Sequence, residues 1–164
     1  MTTLLITEDF ILADRRAIAL GINSNVHVSE SKLWVDPKGR GAIGTAGSRR
    51  ITLTDIHFSR YFEAAFKASE TEQPEDIASF NKLNTEFFSC NYATYLLTAK
   101  GAFVLNDHVD VVTHPFLKET GSGGMFAKAA WYYGVKPEDI IPLVATFDET
   151  TSPDFDLFYK KDIK

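Results

Sequence analysis

The sequence has 164 residues, of which 45% are hydrophobic and 24% are charged, values ordinary for a single globular domain over 1–164. Its formal net charge of −5 argues against the basic surface that nucleic-acid binding needs, so no nucleic-acid partner is expected. One cysteine, Cys90, excludes an internal disulfide and favours a reducing compartment. With no apolar run long enough to cross a bilayer and no signal-peptide pattern at the start, we expect a cytoplasmic protein without a membrane partner.

Strand patterns occupy much of the first fifty residues. Residues 2–6 predict a strand, and the polar residues 7–9 predict a tight turn into a second strand at 10–13. Another strand pair is predicted at 32–35 and 41–46, because the intervening Asp-Pro-Lys-Gly is strong turn chemistry.

The rest of the chain predicts helices and strands in alternating groups. In order, these are a helix at 54–68, a helix from Pro74 to near Cys90, strands at 93–98 and 102–105, a helix at 124–133 that Gly134 ends, a helix from Pro137 and a strand at 155–159. Two runs of strands, each followed by two helices, indicate a layered α+β protein. We expect a four-layer α/β/β/α sandwich with two stacked antiparallel sheets, although periodicity also allows three layers.

Thr2 is the first candidate for chemistry. Small second residues such as threonine permit removal of Met1, which would give Thr2 a free α-amino group. The reference pKa of an α-amino group is about 7.7–8.0, so this amine is able to accept the proton of its own hydroxyl. The alternative is an ordinary first strand, since many proteins begin with Met-Thr.

A charged pair is predicted where two apolar strands end. Asp14 closes one strand and Lys32 opens another, so the two side chains pair if the strands are adjacent. A partly buried lysine near Thr2 would lower the pKa of its hydroxyl and amine. The alternative for each residue is a surface salt bridge, with the lysine stem lying along apolar surface.

Five segments follow one another in a recognisable order. They are 2–3 (Thr-Thr) with 13–17 (ADRRA), 32–34 (KLW), 43–48 (IGTAGS), 121–130 (GSGGMFAKAA), and Asp148 with Thr151 ahead of 155–157 (FDL). Together they resemble the proteasome β-subunits and the HslV-type bacterial peptidase, which are N-terminal nucleophile hydrolases. Thr151 stands where the family has serine, which keeps the hydroxyl.

The resemblance implies a threonine endopeptidase that needs no cofactor and no metal and acts on peptides or unfolded proteins. The catalytic residues that it implies are Thr2, Asp14, Lys32, Gly47, Ser122, Asp148 and Thr151. The substrate-binding residues that it implies are Ala17, Ile18, Glu30, Thr45 and Arg49. Gly44 is an alternative to Gly47 as the residue whose amide binds the oxyanion, and Glu30 and Arg49 favour opposite substrate charges.

The resemblance also implies a homo-oligomeric closed ring, with an ATPase as a possible regulator. The aromatic stripe at Phe58, Phe62 and Phe66 is predicted to be core or a contact between copies, and the 131–133 cluster (Trp-Tyr-Tyr) is a second candidate contact. The alternative function is a non-catalytic shell or scaffold subunit that keeps Met1.

Two weaker patterns remain open. The glycine-rich residues 121–124 precede a predicted helix and would suit a phosphate cradle, but they lack the lysine of a P-loop. His108, Asp110 and His114 would share one face of a continuous strand and suit a metal, although Pro115 favours a solvated edge.

Overall fold

The structure is a computed structural model that describes residues 3–20, 25–115 and 117–164. The strands in these ranges are β1 (Leu4–Ile6), β2 (Phe10–Asp14), β3 (Arg16–Leu20), β4 (Asn25–Ser29), β5 (Leu33–Val35), β6 (Gly41–Arg49), β7 (Phe88–Thr98), β8 (Gly101–Leu105), β9 (Val109–Val112), β10 (Lys118–Thr120) and β11 (Phe155–Tyr159). The helices are α1 (Asp55–Thr71), α2 (Pro74–Phe87), α3 (Gly124–Tyr132) and α4 (Pro137–Val144).

The strands form two larger sheets and one separate hairpin. One sheet has the order β10-β1-β2-β11, the other has the order β5-β6-β7-β8-β9, and β3 pairs with β4 alone. Each strand pairing found among the described residues is antiparallel. The predicted mixed class with antiparallel sheets and four helices is therefore confirmed.

Strand β1 is buried on both faces, which explains its uninterrupted Leu-Leu-Ile sequence. Leu4 and Ile6 belong to a core cluster that they share with Tyr95 and Leu97 of the five-stranded sheet. Leu5 points the other way, because side chains alternate along a strand, and it packs in a cluster with α3 and α4. Strand β1, which begins two residues after Thr2, is therefore anchored in two core clusters.

Helices α1 and α2 cover the five-stranded sheet through a third core cluster. Tyr61 and Phe62 of α1 pack there with Ile43 and Leu96 of the sheet. Phe58 and Phe62 are only 9% and 0% exposed, so these two rings of the predicted aromatic stripe are core. The core alternative is therefore confirmed for these two rings, whose area is buried inside one chain.

The helix boundaries follow the local sequence signals closely. Pro74 and Pro137 are the first residues of α2 and α4, and Gly134 follows α3 with a φ of 80° that glycine adopts readily. Helix α2 ends at Phe87 rather than near Cys90, because Phe88 begins β7 and pairs with Arg49. Within the described ranges, no helix combines the length and the apolar character that crossing a membrane requires.

Four strands, β3, β4, β9 and β10, were not predicted as separate elements. The clearest case is β10, whose three residues Lys-Glu-Thr carry no apolar alternation. It is a strand because β1 pairs with it, Leu4 opposite Thr120 and Ile6 opposite Lys118. Tertiary pairing outweighs the weak strand propensity of these residues.

Candidate active site

Asp14 is the centre of a buried network at the end of β2. Its side chain is fully buried, and its Oδ1 accepts hydrogen bonds from Thr3 N at 2.6 Å and from Lys32 Nζ at 2.7 Å. Its Oδ2 accepts from Arg16 N at 3.0 Å and from Ser152 N at 3.3 Å. A buried carboxylate is costly unless it is paired and hydrogen-bonded, and this one is both. The predicted Asp14–Lys32 pair is therefore present, and it is buried rather than on the surface.

Lys32 lies immediately before β5 and is only 4% exposed. Its carbonyl accepts a hydrogen bond from Thr45 N at 3.0 Å, so the lysine backbone is fixed to the neighbouring strand β6. Burial lowers the pKa of Lys32, and the adjacent Asp14 raises it without fully restoring it. The ammonium group is thus held in a position where its charge acts strongly on its surroundings.

Asp148 is the centre of a second cluster, in the loop that follows α4. Its carboxylate accepts hydrogen bonds from Ser122 Oγ at 2.8 Å, Thr151 Oγ1 at 2.7 Å and Thr150 Oγ1 at 2.6 Å. Burial raises the pKa of Asp148, but the bonds from Thr150, Thr151 and Ser122 outweigh it and lower the pKa to about 2. Asp148 is therefore ionised at neutral pH.

The two clusters meet at Thr3. The hydroxyl of Thr3 lies 2.6 Å from that of Thr151, while its backbone nitrogen donates to Asp14. Gly123, just before α3, leaves room for this pair, because a Cβ there would lie 2.6 Å from Thr151 Oγ1 and closer still to Thr3 Oγ1. Segments from both ends of the chain therefore converge on one point.

Substituting Gly123 by alanine is expected to break this convergence. The backbone of Gly123 has φ −83° and ψ −4°, an allowed conformation for alanine, so the main effect comes from the added methyl group. We expect a loss of about 1–3 kcal/mol in the free energy of unfolding, typical of overpacking, measured by urea denaturation. Gly101→Ala is the control, since its Cβ would meet nothing nearer than Phe103 Cζ at 3.4 Å. Equal stability of the two variants would contradict the close packing at Gly123.

The low pKa of Asp148 predicts a specific loss of stability in acid. A carboxylate whose folded-state pKa is lowered stabilises the fold above its ordinary pKa of 3.8, and this contribution disappears as the pH falls towards about 2. The stability difference between the wild type and Asp148→Asn should therefore shrink between pH 5 and pH 2, measured by chemical denaturation at each pH. A constant difference for Asp148 would refute the prediction.

The structure distinguishes Gly44 from Gly47, the two candidates for the residue whose amide binds the oxyanion. Gly44 is buried between the sheets, where a Cβ would lie 2.9 Å from the end methyl groups of Leu4 and Ile11, so its role is packing. Gly47 is exposed, has a φ of 133° and lies where the pairing of β6 with β7 shifts register. This irregularity sets the Gly47 backbone apart from the regular ladder.

The predicted substrate-binding residues lie on β3, on β6 and directly after β4. Glu30 and Arg49 form an ion pair, and the Arg49 guanidinium lies 5.6 Å from the centre of the Phe58 ring. Thr45 is 2% exposed, and its hydroxyl has no hydrogen-bond partner among the described residues. Ala17 and Ile18 lie on β3, which pairs with β4. Thr2, the predicted nucleophile, lies outside the described residues.

Sequence reasoning did not assign a role to several residues of this network, namely Thr3, Gly123, Thr150 and Ser152. The contact of Thr150 could have been predicted from local sequence. Its N–H donates to Asp148, two residues earlier, at 3.0 Å, in a turn that Asp commonly forms. The role of Gly123 carried no such local signal, since it depends on a contact with Thr3 at the other end of the chain.

The structure does not favour the phosphate and metal alternatives. Ser122, in the glycine-rich turn before α3, donates to the ionised Asp148, whose negative charge would repel a phosphate. His108 Nε2 lies 3.2 Å from Asp110 Oδ2, while His114 lies beyond the end of β9. In the part of the chain that the structure describes, no three potential metal-binding side chains of His, Cys, Asp or Glu come together.

Comparison with known proteins relates this fold to HslV. No protein-family model and no curated protein matches the sequence. Among solved structures, eukaryotic HslV from Trypanosoma brucei matches with a TM-score of 0.61 and 17% identity, over 96% of this chain and 98% of that chain. BPH of Thiobacillus denitrificans matches with a TM-score of 0.59 and 16% identity, over 97% of each chain. Its complex with epoxomicin also matches, with a TM-score of 0.59 and 14% identity, over 96% of each chain.

These matches span nearly the whole of both chains in each comparison. The resemblance to the proteasome and HslV family, expected from short segments of the sequence, is therefore confirmed at the level of the fold.

Proposed function

We propose that this chain, which has the fold of HslV, is a proteasome-type peptidase subunit that hydrolyses peptide bonds through Thr2 after removal of Met1. The carrying observation is the network at Thr3, the residue directly after Thr2 in the sequence. The Asp14–Lys32 pair and the Asp148 cluster both bond to Thr3, through its nitrogen and its hydroxyl. A buried charge pair and a cluster of hydroxyl groups therefore border the position where an N-terminal nucleophile would act.

In this proposal the Thr2 hydroxyl oxygen attacks the carbonyl carbon of the peptide. The α-amino group takes the hydroxyl proton as the bond forms and delivers it to the leaving amine as the peptide bond breaks. Water then hydrolyses the resulting ester of Thr2 and restores the free hydroxyl. Lys32, held by Asp14, supplies the positive charge that favours deprotonation of the hydroxyl.

The other polar groups have supporting roles. The Gly47 amide would stabilise the oxyanion, since one such donor is typically worth about 2.7–4 kcal/mol. Ser122, Asp148 and Thr151 would hold the amine and a water through hydrogen bonds. Asp148 suits this task because it stays ionised at neutral pH and continues to accept hydrogen bonds.

Residues around Lys32 would bind the peptide substrate. Glu30 and Arg49 neutralise one another through their ion pair, so a substrate side chain of either charge must compete with that pair. The hydroxyl of Thr45, which has no hydrogen-bond partner in the described part of the chain, would serve as a hydrogen-bonding group for a substrate. Ala17 and Ile18 on β3 complete the set, and their extended backbone suits pairing with an extended peptide.

We further propose that residues 1–164 form one domain, a four-layer α/β/β/α sandwich, which assembles with other copies into a closed ring. The three core clusters support this layer order, since they join α1 and α2 to one sheet, the two sheets to each other, and the second sheet to α3 and α4. A cytoplasmic location is consistent with the single cysteine, and an ATPase is a possible regulatory partner.

The test combines intact mass with hydrolysis of a fluorogenic peptide. We expect purified protein to lack the mass of one methionine and to cleave the peptide. Thr2→Ala should be inactive, and so should a variant with an uncleavable residue ahead of Thr2, because it lacks the free amine. Thr113→Ala, which removes an exposed hydroxyl elsewhere, is the matched control and should be fully active.

Each outcome of this test is decisive. Hydrolysis by Thr2→Ala would remove Thr2 from the mechanism, and hydrolysis by the extended variant would show that the α-amino group is not the base. Full retention of Met1 together with inactivity would favour the scaffold alternative.

A further inference from the structure

One hydroxyl group of the Asp148 cluster, that of Thr150, takes no part in the mechanism proposed above. Its Oγ1 lies 2.6 Å from Asp148 Oδ1 and 2.5 Å from Ser122 Oγ. The backbone N–H of Thr150 donates to the same Oδ1 at 3.0 Å, which fixes this residue relative to the carboxylate. Thr150 therefore connects the loop after α4 with the turn that precedes α3.

Ser122 is the residue in this cluster that most needs such a contact. It is exposed and lies in a turn between Gly121 and Gly123, so the core does not pack around its side chain. An exposed serine side chain adopts any of three staggered rotamers unless its partners select one. Here the Ser122 Oγ has two partners, Asp148 Oδ2 at 2.8 Å and Thr150 Oγ1 at 2.5 Å. Two anchors fix the position of the oxygen, whereas one anchor alone fixes only a distance.

The number of hydrogens in the cluster limits which way each hydroxyl donates. Asp148 is ionised at neutral pH, so its carboxylate only accepts hydrogen bonds. Ser122 and Thr150 have one hydroxyl hydrogen each, and they take part in three contacts, one with each other and one each with Asp148. The 2.5 Å contact between the two hydroxyl oxygens requires one of these hydrogens, because oxygens so close repel without it.

Two arrangements of the hydrogens satisfy this limit. Either Thr150 donates to Ser122 and Ser122 donates to Asp148, or Ser122 donates to Thr150 and Thr150 donates to Asp148. In both, the Ser122 hydrogen has its acceptor inside the cluster. In both, Ser122 also keeps at least one lone pair that is free to accept a hydrogen bond.

We propose that Thr150 is a positioning residue that holds Ser122 as a hydrogen-bond acceptor for the α-amino group of Thr2. An amine whose N–H groups are held by such an acceptor keeps its own lone pair for the proton of the Thr2 hydroxyl. This inference rests on the proposed function and adds to it a residue that acts through Ser122.

The experiment measures steady-state hydrolysis of a fluorogenic peptide by the wild type and by Thr150→Val. Valine lacks the hydroxyl but keeps the backbone N–H that bonds to Asp148. We expect kcat to fall about tenfold, less than the 100-fold that a misplacement of about 1 Å can cause. KM should not change, because the proposed substrate-binding residues lie on β3, on β6 and directly after β4. Thr150→Ser should restore the rate, and Thr150→Ala, a second variant without the hydroxyl, should show the same loss as valine.

A double-mutant cycle with Ser122→Ala shows whether Thr150 acts through Ser122. In the Ser122→Ala background, Thr150→Val should cause no further loss of kcat, because the hydroxyl that Thr150 positions is already absent. A further loss as large as the one in the wild-type background would overturn the proposal.

Thr146→Val is the matched control. Thr146 is exposed, and its hydroxyl donates to the backbone carbonyl of Leu143 at 2.7 Å, so its loss should leave kcat unchanged. Equal rates in the wild type and Thr150→Val would overturn the role of Thr150 and leave the peptidase proposal intact. A wild type that does not hydrolyse the peptide would overturn the peptidase proposal, and the role of Thr150 with it.

Discussion

Lys32→Ala is expected to abolish peptide hydrolysis while the protein stays folded. In the proposed mechanism the ammonium charge favours deprotonation of the Thr2 hydroxyl, and its loss should lower kcat by at least about 100-fold, as for other groups that stabilise charge in the transition state. The fold should survive with reduced stability, because Asp14 loses its counter-ion but keeps three backbone donors, from Thr3, Arg16 and Ser152.

The measurement is a rate with a fluorogenic peptide beside a circular dichroism spectrum. Lys38→Ala is the matched control, because Lys38 is largely exposed and its ion pair with Glu63 lies at the surface. The control should hydrolyse the peptide at the wild-type rate. A normal rate in Lys32→Ala would remove the lysine from the mechanism, and a general loss of structure would show that its role is in folding.

Local signals predicted those parts of the fold that depend on neighbouring residues. Strand β11 has the predicted bounds, and α2 and α4 begin at the predicted prolines. Turns and helix ends depend on a few adjacent residues, so they can be predicted from the local sequence. Strand β10 was missed because its identity depends on pairing with β1, more than a hundred residues earlier. The same distinction explains why α2 was predicted to run too far, since Phe88 pairs with β6.

The candidate site likewise combines features that local sequence predicts with features that depend on distant parts of the chain. Asp14 and Lys32 were predicted as a pair because a charged residue at the end of an apolar strand needs an oppositely charged partner. In the structure each is the ion-pair partner of the other. Their burial was not predictable, because it depends on how the two sheets stack. The function of Thr3 was missed for a related reason: its partners are Asp14 on the adjacent strand and Thr151 near the end of the chain.

Asp14→Ala is expected to destabilise the fold more than any other single change at the site. Removing one partner of a buried ion pair typically costs about 3–5 kcal/mol, because the remaining buried charge loses its counter-ion. Here the loss also removes the acceptor for the backbone N–H groups of Thr3, Arg16 and Ser152. Urea denaturation followed by tryptophan fluorescence should show this loss, while Asp154→Ala, at an exposed carboxylate, should change stability little.

The pH dependence of the stability of Asp14→Ala shows whether the Lys32 charge causes the loss of stability or whether only packing and hydrogen bonds are lost. Burial already lowers the pKa of Lys32, and without Asp14 to raise it the pKa should fall further below the ordinary 10.5. Between the folded-state pKa and 10.5 the unfolded chain binds more protons, so the stability of Asp14→Ala should rise with pH in that window. Adding Lys32→Met should remove this rise and recover part of the lost stability, because no charge then remains to be buried. If the stability of Asp14→Ala rises with pH no more than that of the double variant, the Lys32 charge does not cause the loss. The cost of the substitution then lies in the three backbone N–H groups.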